Sequence, residues 1–199
     1  MPISYEVFMR HAEKVTKNAT KINPTRPVLA GVFHHEDGSL VVTDSHRLYK
    51  AFGTHHNKDL GSVITPKGKV IQDRYPQVDR LMPFIDPQQE IVFEVNELLQ
   101  AADILYHTGM VAREKVDIDF KDKTVAFIFA GVMMGSYTLS KPFKEPFSLN
   151  ALYLLETMKL FKAAKCETVK VNFYGRNRPL LIEDETGDLK ALILPIRRY

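Results

Sequence analysis

"VVTDSHRLYK" (residues 41–50) starts like a strand and then sets Thr43, Asp44, Ser45, His46 and Arg47 side by side before Leu48. An acid, a hydroxyl, an imidazole and a guanidinium this close together admit two readings. Either they form a catalytic cluster, or they make a tight turn whose side chains brace a pocket wall. Ser45 and His46 do not make a nucleophile–base dyad, because neighbours in sequence rarely aim their side chains at each other. Asp44 is expected to pair locally or to brace the turn.

Working outward, "RPVLAGVFHH" (26–35), "GSLVVT" (38–43) and "HRLYKAF" (46–52) read as three short strands, the first two joined at the turn "EDG". Upstream, Phe8, Ala12, Val15 and Ala19 recur at helical spacing and predict a helix over residues 5–20. The same order returns downstream. "EIVFEV" (90–95) is a strand and "NELLQAADILYH" (96–107) a helix with Asn96 placed to cap it. "KVDIDF", "TVAFIFA" and "MMGSYTL" follow as three strands, the first pair joined at "KDK". A third copy runs from "PFSLN" into the helix "ALYLLETMKLFKAAK", with Asn150 as cap, and then through "ETVKVNF", "RPLLIED" and "DLKALILPI". Copies about fifty to sixty residues apart mark an internal structural repeat. Residues 84–199 hold two helix-plus-three-strand units and residues 1–83 hold one, followed by a turn-rich stretch (53–83) with "PKGK" and "YPQ".

Composition narrows the function classes. The 199 residues are 45% hydrophobic and 26% charged, ordinary for a soluble globular protein. The single Cys166 can form neither an internal disulfide nor a cysteine metal site, which suits a reducing cytosol. With no apolar run of membrane-spanning length and no signal-peptide pattern, the expectation is a cytoplasmic protein with no membrane partner.

A net charge of +3 does not by itself require nucleic acid, so the distribution of charge decides. Arg10, Lys14, Lys17 and Lys21 are spaced by four, three and four. At ~100° per residue they share one stripe, roughly opposite the apolar one. Such a stripe can follow a phosphate backbone without reading bases, or it is a solvated helix face. The third helix carries Lys159, Lys162 and Lys165, diluted by Glu156, and the second carries no cation on its polar side.

Enzyme readings find little support. The pairs His34–His35 and His55–His56 suggest a metal, with Asp37 or Asp44 contributing in space. Adjacent strand residues point to opposite faces, however, so each pair offers one ligand. There is no glycine-rich phosphate loop and no G-x-S-x-G elbow. "IEDETGD" (182–188) reads as a polar hairpin. The reading is of a protein with no catalytic residues, metal or cofactor.

"RPVLAGV", "TDSHRL", "YPQVDRLMP", "LLIED" and the terminal "LILPIRRY" occur in an order that resembles the bacterial DNA polymerase III beta subunit (sliding clamp) family. The resemblance follows part of that family's middle domain (residues 1–83, truncated) and the whole of its C-terminal domain (84–199). It implies an α+β DNA-clamp fold of repeated helix-plus-three-strand units, with antiparallel sheets outside and helices on the inner face. It also implies sequence-independent binding of duplex DNA, with Arg10, Lys14, Lys17 and Lys21 as contacts, nucleoid association and homo-oligomers. Further implied partners are a polymerase or other DNA enzyme carrying a clamp-binding peptide, with a clamp loader as one more candidate.

In that family short linear peptides enter an apolar pocket between the middle and C-terminal domains. Matching motif to motif assigns Leu29, Thr43, Ser45, His46, Arg47 and Leu48 to its wall, with Pro76, Arg80 and Leu81 from "YPQVDRL". The C-terminal strands add Pro179, Leu180, Leu192, Leu194, Pro195, Ile196 and Arg197. Two alternatives accompany this reading: a clamp-like peptide-binding adaptor or decoy that does not encircle DNA, and a small metal-dependent nuclease using Asp44, His46 and neighbouring histidines.

Overall fold

In the computed structural model, which describes residues 3–54, 59–112 and 115–197, three α-helices and eleven β-strands form among those residues. The chain divides into two compact units, Met1–Phe84 with Glu183–Leu192 and Ile85–Ile182 with Ile193–Tyr199.

In the first unit, α1 (Tyr5–Ile22) begins at Ser4, whose hydroxyl accepts a hydrogen bond from the Val7 N–H at 3.3 Å. The predicted stripe of Phe8, Ala12, Val15 and Ala19 is buried, joined by Met9 and Thr16. The helix runs past residue 20, which brings Lys21 into its last turn. The expected strand over 26–35 is corrected. Pro27–Ala30 is a 3-10 helix, favoured because proline fixes φ at its first position, and only β1 (Val32–His34) is strand. β2 (Leu40–Thr43) and β3 (Arg47–Ala51) follow as expected, antiparallel and in register Thr43↔Leu48. Two short strands, β4 (Val63–Ile64) and β5 (Val70–Ile71), lie within the turn-rich stretch and add a hairpin beside β1. The strand order is β5-β4-β1-β2-β3-β11, where β11 is Leu189–Ile193. α1 packs on the 3-10 helix and on β1, β2 and β3.

In the second unit, β6 (Gln89–Glu94) pairs antiparallel with β9 (Thr168–Phe173), and β10 (Leu180–Glu183) lies next to β9. α2 (Val95–Met110) packs against α3 (Ala151–Ala163). Asn150 caps α3, its Oδ1 accepting from the N–H groups of Leu152 and Tyr153 at 3.0 and 3.3 Å. Asn96 does not cap α2. The helix starts one residue earlier at Val95, whose N–H donates to the Glu167 carbonyl at 2.9 Å, and no side chain caps it.

The three strands expected between these helices are also corrected, to two long ones. β7 (Asp117–Phe129) and β8 (Val132–Asn150) form one hairpin. "KDK" is not its turn but a bulge, with Asp122 at φ +54° and the register shifting on both sides of it. The turn falls at Ala130–Gly131, both at positive φ. Phe120, Phe143, Phe147 and Phe173 fill the core beneath the bulge, Phe120 and Phe147 stacked with centroids 4.5 Å apart. No described helix is long and apolar enough to cross a membrane.

Candidate functional site

The "TDSHR" stretch is a hairpin turn wound around a buried ion pair. Ser45 takes φ +74°, which turns the chain sharply enough for Thr43 and Leu48 to pair across it. Asp44 Oδ1 accepts from the backbone N–H groups of His46 and Arg47 at 3.0 and 2.9 Å. Its Oδ2 accepts from Asn18 Nδ2 at 2.7 Å and from Arg47 Nε at 3.1 Å. The side chains of Arg47 and Asp44 are 1% and 0% exposed. Thr43 Oγ1 accepts from the Ser45 N–H and donates to the Arg47 carbonyl. Asp44 is a brace. With both oxygens engaged and out of solvent it cannot serve the nuclease reading, which required that carboxylate to hold a metal.

The segment carrying Pro76, Arg80 and Leu81 is fastened to the same strands. Tyr75 stacks on Phe33, and its hydroxyl accepts from the Thr43 N–H at 3.1 Å; burial pushes this phenol's pKa up. A 3-10 helix, Val78–Leu81, then places Asp79 beside the turn between β1 and β2. Lys50, on β3, donates to Asp37 Oδ2 at 2.7 Å and to Asp79 Oδ1 at 3.0 Å. His35 Nδ1 lies 3.1 Å from the Asp37 backbone nitrogen and 3.0 Å from Asp37 Oδ1, and its Nε2 lies 2.9 Å from Asp79 Oδ2. His35, Asp37 and Asp79 are the one group among the described residues close enough to share a metal. The Lys50 ammonium already supplies the positive charge between the two carboxylates, so the group reads as an ion-pair network. His34 points the other way into the core, 3.2 Å from the Tyr5 hydroxyl. His55 and His56 lie outside the described residues.

This network makes an acid-stability prediction. Burial alone would raise the Asp37 pKa, but hydrogen bonds from Lys50 and Ser39 outweigh it and hold the carboxyl down to about 2. An aspartate in the unfolded chain titrates near ~4. The stabilisation is therefore complete above that value and is lost as pH falls from there through about 2. Asp37→Asn should be less stable than the parent at neutral pH, with the gap closing in that acid window. Urea unfolding across pH checks this, and a gap independent of pH would refute it.

Of the remaining wall residues in the first unit, Leu29, Leu48 and Leu192 are buried core side chains, whereas Ser45, His46, Arg80 and Leu81 are exposed and Pro76 is half-buried. In the second unit Leu180 is buried, Pro179, Pro195 and Ile196 are half-buried, and Leu194 and Arg197 are exposed. The Ile196 N–H donates to the Ser148 carbonyl at 2.8 Å, holding the tail against β8. There Ile196 lines a groove of about 720 Å³ with Phe120, Phe147, Ser148, Arg176 and Asn177. These five went unread in the sequence. Phe120 and Phe147 have the alternation of ordinary core strands, and nothing local shows that the bulge at Asp122 opens a groove beside them.

The basic stripe is intact. Arg10, Lys14, Lys17 and Lys21 are all exposed on α1, away from its buried face. Glu13 lies among them, 2.9 Å from Lys17. On the other unit, Asp103 of α2 is answered by Lys159 of α3 at 3.8 Å, and Glu97 is engaged by the N–H and hydroxyl of Ser140.

No protein-family model and no curated protein matches the chain. Solved structures do. The beta subunit from DNA polymerase of Streptococcus pyogenes matches over 100% of this chain and 66% of its own, with 21% identity and a TM-score of 0.73. The chain has the sliding-clamp fold. The DNA polymerase sliding clamp from Bacillus subtilis gives the same identity, 21%, and the same TM-score, 0.73, over 100% of this chain and 64% of that one. The DNA polymerase III beta subunit from Thermotoga maritima matches at 16% identity and a TM-score of 0.70, over 100% and 65% of the two chains. The chain thus spans about two-thirds of the length of these sliding clamps.

Proposed function

We propose that this chain is a clamp-like tether: a non-catalytic homo-oligomer that encircles duplex DNA without sequence preference and holds a polymerase or another DNA enzyme there. Residues 1–83 serve as a truncated clamp domain and 84–199 as a complete one. The observation that carries the reading is the exposed line of Arg10, Lys14, Lys17 and Lys21 on a helix of a chain with the sliding-clamp fold. Point charges on flexible stems suit phosphates and read no base edges. A loader that opens the oligomer is a further partner in this reading.

Enzymes would be held through short peptides. Ser45 and His46 on the first unit, and Leu194, Pro195 and Ile196 on the second, are the accessible members of the assigned wall and would make the contacts, whereas Leu29, Leu48, Leu180 and Leu192 are buried within their own units. This is why Ile196, not Leu48, is the informative position. Ile196→Glu should weaken binding of a clamp-binding peptide by at least ~10-fold, about 1.4 kcal/mol, by replacing an apolar contact with a carboxylate that must be desolvated when the peptide binds. Thermal unfolding should change little. Parent-like affinity would remove Ile196 from the pocket.

The competing reading is an adaptor that binds peptides and ignores DNA, favoured by Glu97 and Asp103 on α2, where a DNA-facing helix should be basic. Affinity for two unrelated duplexes, measured against salt, separates them. The tether binds both equally, with log K falling linearly in log salt. The adaptor binds neither.

A further inference from the structure

Residues 72–84 leave β5, at the edge of the first unit's sheet, and reach back to strands with which they do not pair. Tyr75 stacks on Phe33 of β1 with ring centroids 5.3 Å apart, and its hydroxyl accepts from the Thr43 N–H of β2. Val78 is buried. Asp79 meets Lys50 of β3 at 3.0 Å and His35, just beyond β1, at 2.9 Å. Among the described residues, this stretch makes no backbone–backbone hydrogen bond to the sheet; the Met82 N–H donates to its own Asp79 carbonyl. A cavity of about 580 Å³ is lined on one side by Phe33, His35 and Gly61 and on the other by residues 73–80. The stretch is thus a strap, pinned by three side chains and loosely packed between them.

The three pins differ. Tyr75 and Val78 are buried, whereas the Asp79 side chain is 58% exposed. Its cationic partner is fixed to the sheet. Lys50 is 7% exposed, donates also to Asp37 Oδ2 at 2.7 Å and lies 4.8 Å over the Phe52 ring. An anchored ammonium on β3 and a solvent-facing carboxylate on the strap make a contact that salt weakens.

We propose that the Asp79 carboxylate, held by Lys50 and His35, is a latch that seats this strap, and that seating sets Pro76, Arg80 and Leu81 for peptide capture. This rests on the peptide-binding reading above and adds a conformational control to it. Pro76 follows the Tyr75 pin directly, and Arg80 and Leu81 follow Asp79 in the same 3-10 helix. Releasing Asp79 leaves Val78 as the last pin before them. Asp79 is therefore a positioning residue, acting through its neighbours in the strap. With few pins and no ladder bonds, the strap opens more easily than the sheet beneath it. A peptide that needs the seated wall binds the seated fraction, and by the same coupling holds the strap down.

The test is limited trypsin digestion of the folded chain, with mass spectrometry following the Arg74–Tyr75 and Arg80–Leu81 bonds in the parent, Asp79→Ala and Asp37→Asn. Asp79→Ala loses both latch contacts and should be cut there about tenfold faster. Its thermal unfolding should stay close to the parent's, since the position faces solvent. Raising salt from about 0.05 to about 0.5 M should speed cleavage of the parent, corrected for trypsin's own response on a short reference substrate, and leave Asp79→Ala unchanged. Asp37→Asn keeps both Asp79 contacts and should be cut at the parent rate. The peptide probe is one selected on the parent from a random heptapeptide library and weakened by His46→Ala. It should protect both bonds and bind Asp79→Ala about threefold more weakly, the loss following the seated fraction. Parent-like cleavage of Asp79→Ala, or equally fast cleavage of Asp37→Asn, overturns the latch and leaves the peptide-binding reading standing. Faster cleavage with parent-like peptide affinity also overturns it, because the strap then does not set the wall. A parent that yields no such peptide overturns both.

Discussion

Asp44→Ala is expected to lower the unfolding free energy by about 3–5 kcal/mol, the largest loss for any single substitution considered, because it leaves the Arg47 guanidinium buried without its carboxylate. The arithmetic follows the geometry. Asp44 accepts four hydrogen bonds, two from the backbone of its own turn, one from Arg47 and one from Asn18 on α1. The substitution removes the acceptor for all four and exposes nothing to water in exchange, since Arg47 is 3% exposed overall. Arg47 keeps its contact with the Tyr49 hydroxyl at 3.3 Å, which is neutral. Pairing the change with Arg47→Met should recover much of the stability, because an apolar side chain in that space carries no desolvation cost. Chemical denaturation of the two single variants and the double variant measures this coupling. If Asp44→Ala costs less than about 1 kcal/mol, the level of an ordinary surface change, the turn is not held by the pair.

Arg10→Glu combined with Lys14→Glu is expected to produce the largest loss of DNA binding. Each phosphate contact contributes about 0.9 to the log–log salt slope, so losing two lowers the slope by about two and the affinity roughly 50-fold at ~0.1 M salt. Reversing the charges adds repulsion to the loss. Both side chains face solvent and away from Phe8, Ala12 and Val15, so stability should hold. The loss should be equal for unrelated duplexes, because contacts with phosphates carry no sequence information. A parent-like slope would mean that this face of α1 does not meet DNA.

The three helices and the β1–β2 turn were legible because their signals are local. Apolar spacing in α1, the turn "EDG" and the cap at Asn150 each act within a few residues, and each is present in the structure. The failures share a cause. Asn96 looks like a cap, but the helix starts one residue earlier, where the Val95 N–H donates to the Glu167 carbonyl, distant in sequence. "KDK" looks like a turn because it is polar, yet an exposed bulge has the same composition as a turn. Pro27 sits within an apolar run that reads as strand, and its fixed φ together with packing under α1 makes a 3-10 turn there.

The site divides in the same way. That Asp44 braces its turn was legible from its neighbours, and the basic stripe from its spacing. The partnership of Asn18 with Asp44, the salt links of Lys50 to Asp79 and the groove beside Phe120 and Phe147 join residues far apart in sequence, where periodicity has no reach.

The central claim, that this protein encircles and tethers to duplex DNA, is tested most directly by retention on a nicked circular duplex compared with the same duplex linearised by a single cut. The account predicts that protein stays with the circle through gel filtration in moderate salt and is lost from the linear form by sliding off its ends. Equal retention on both forms, or on neither, would contradict it.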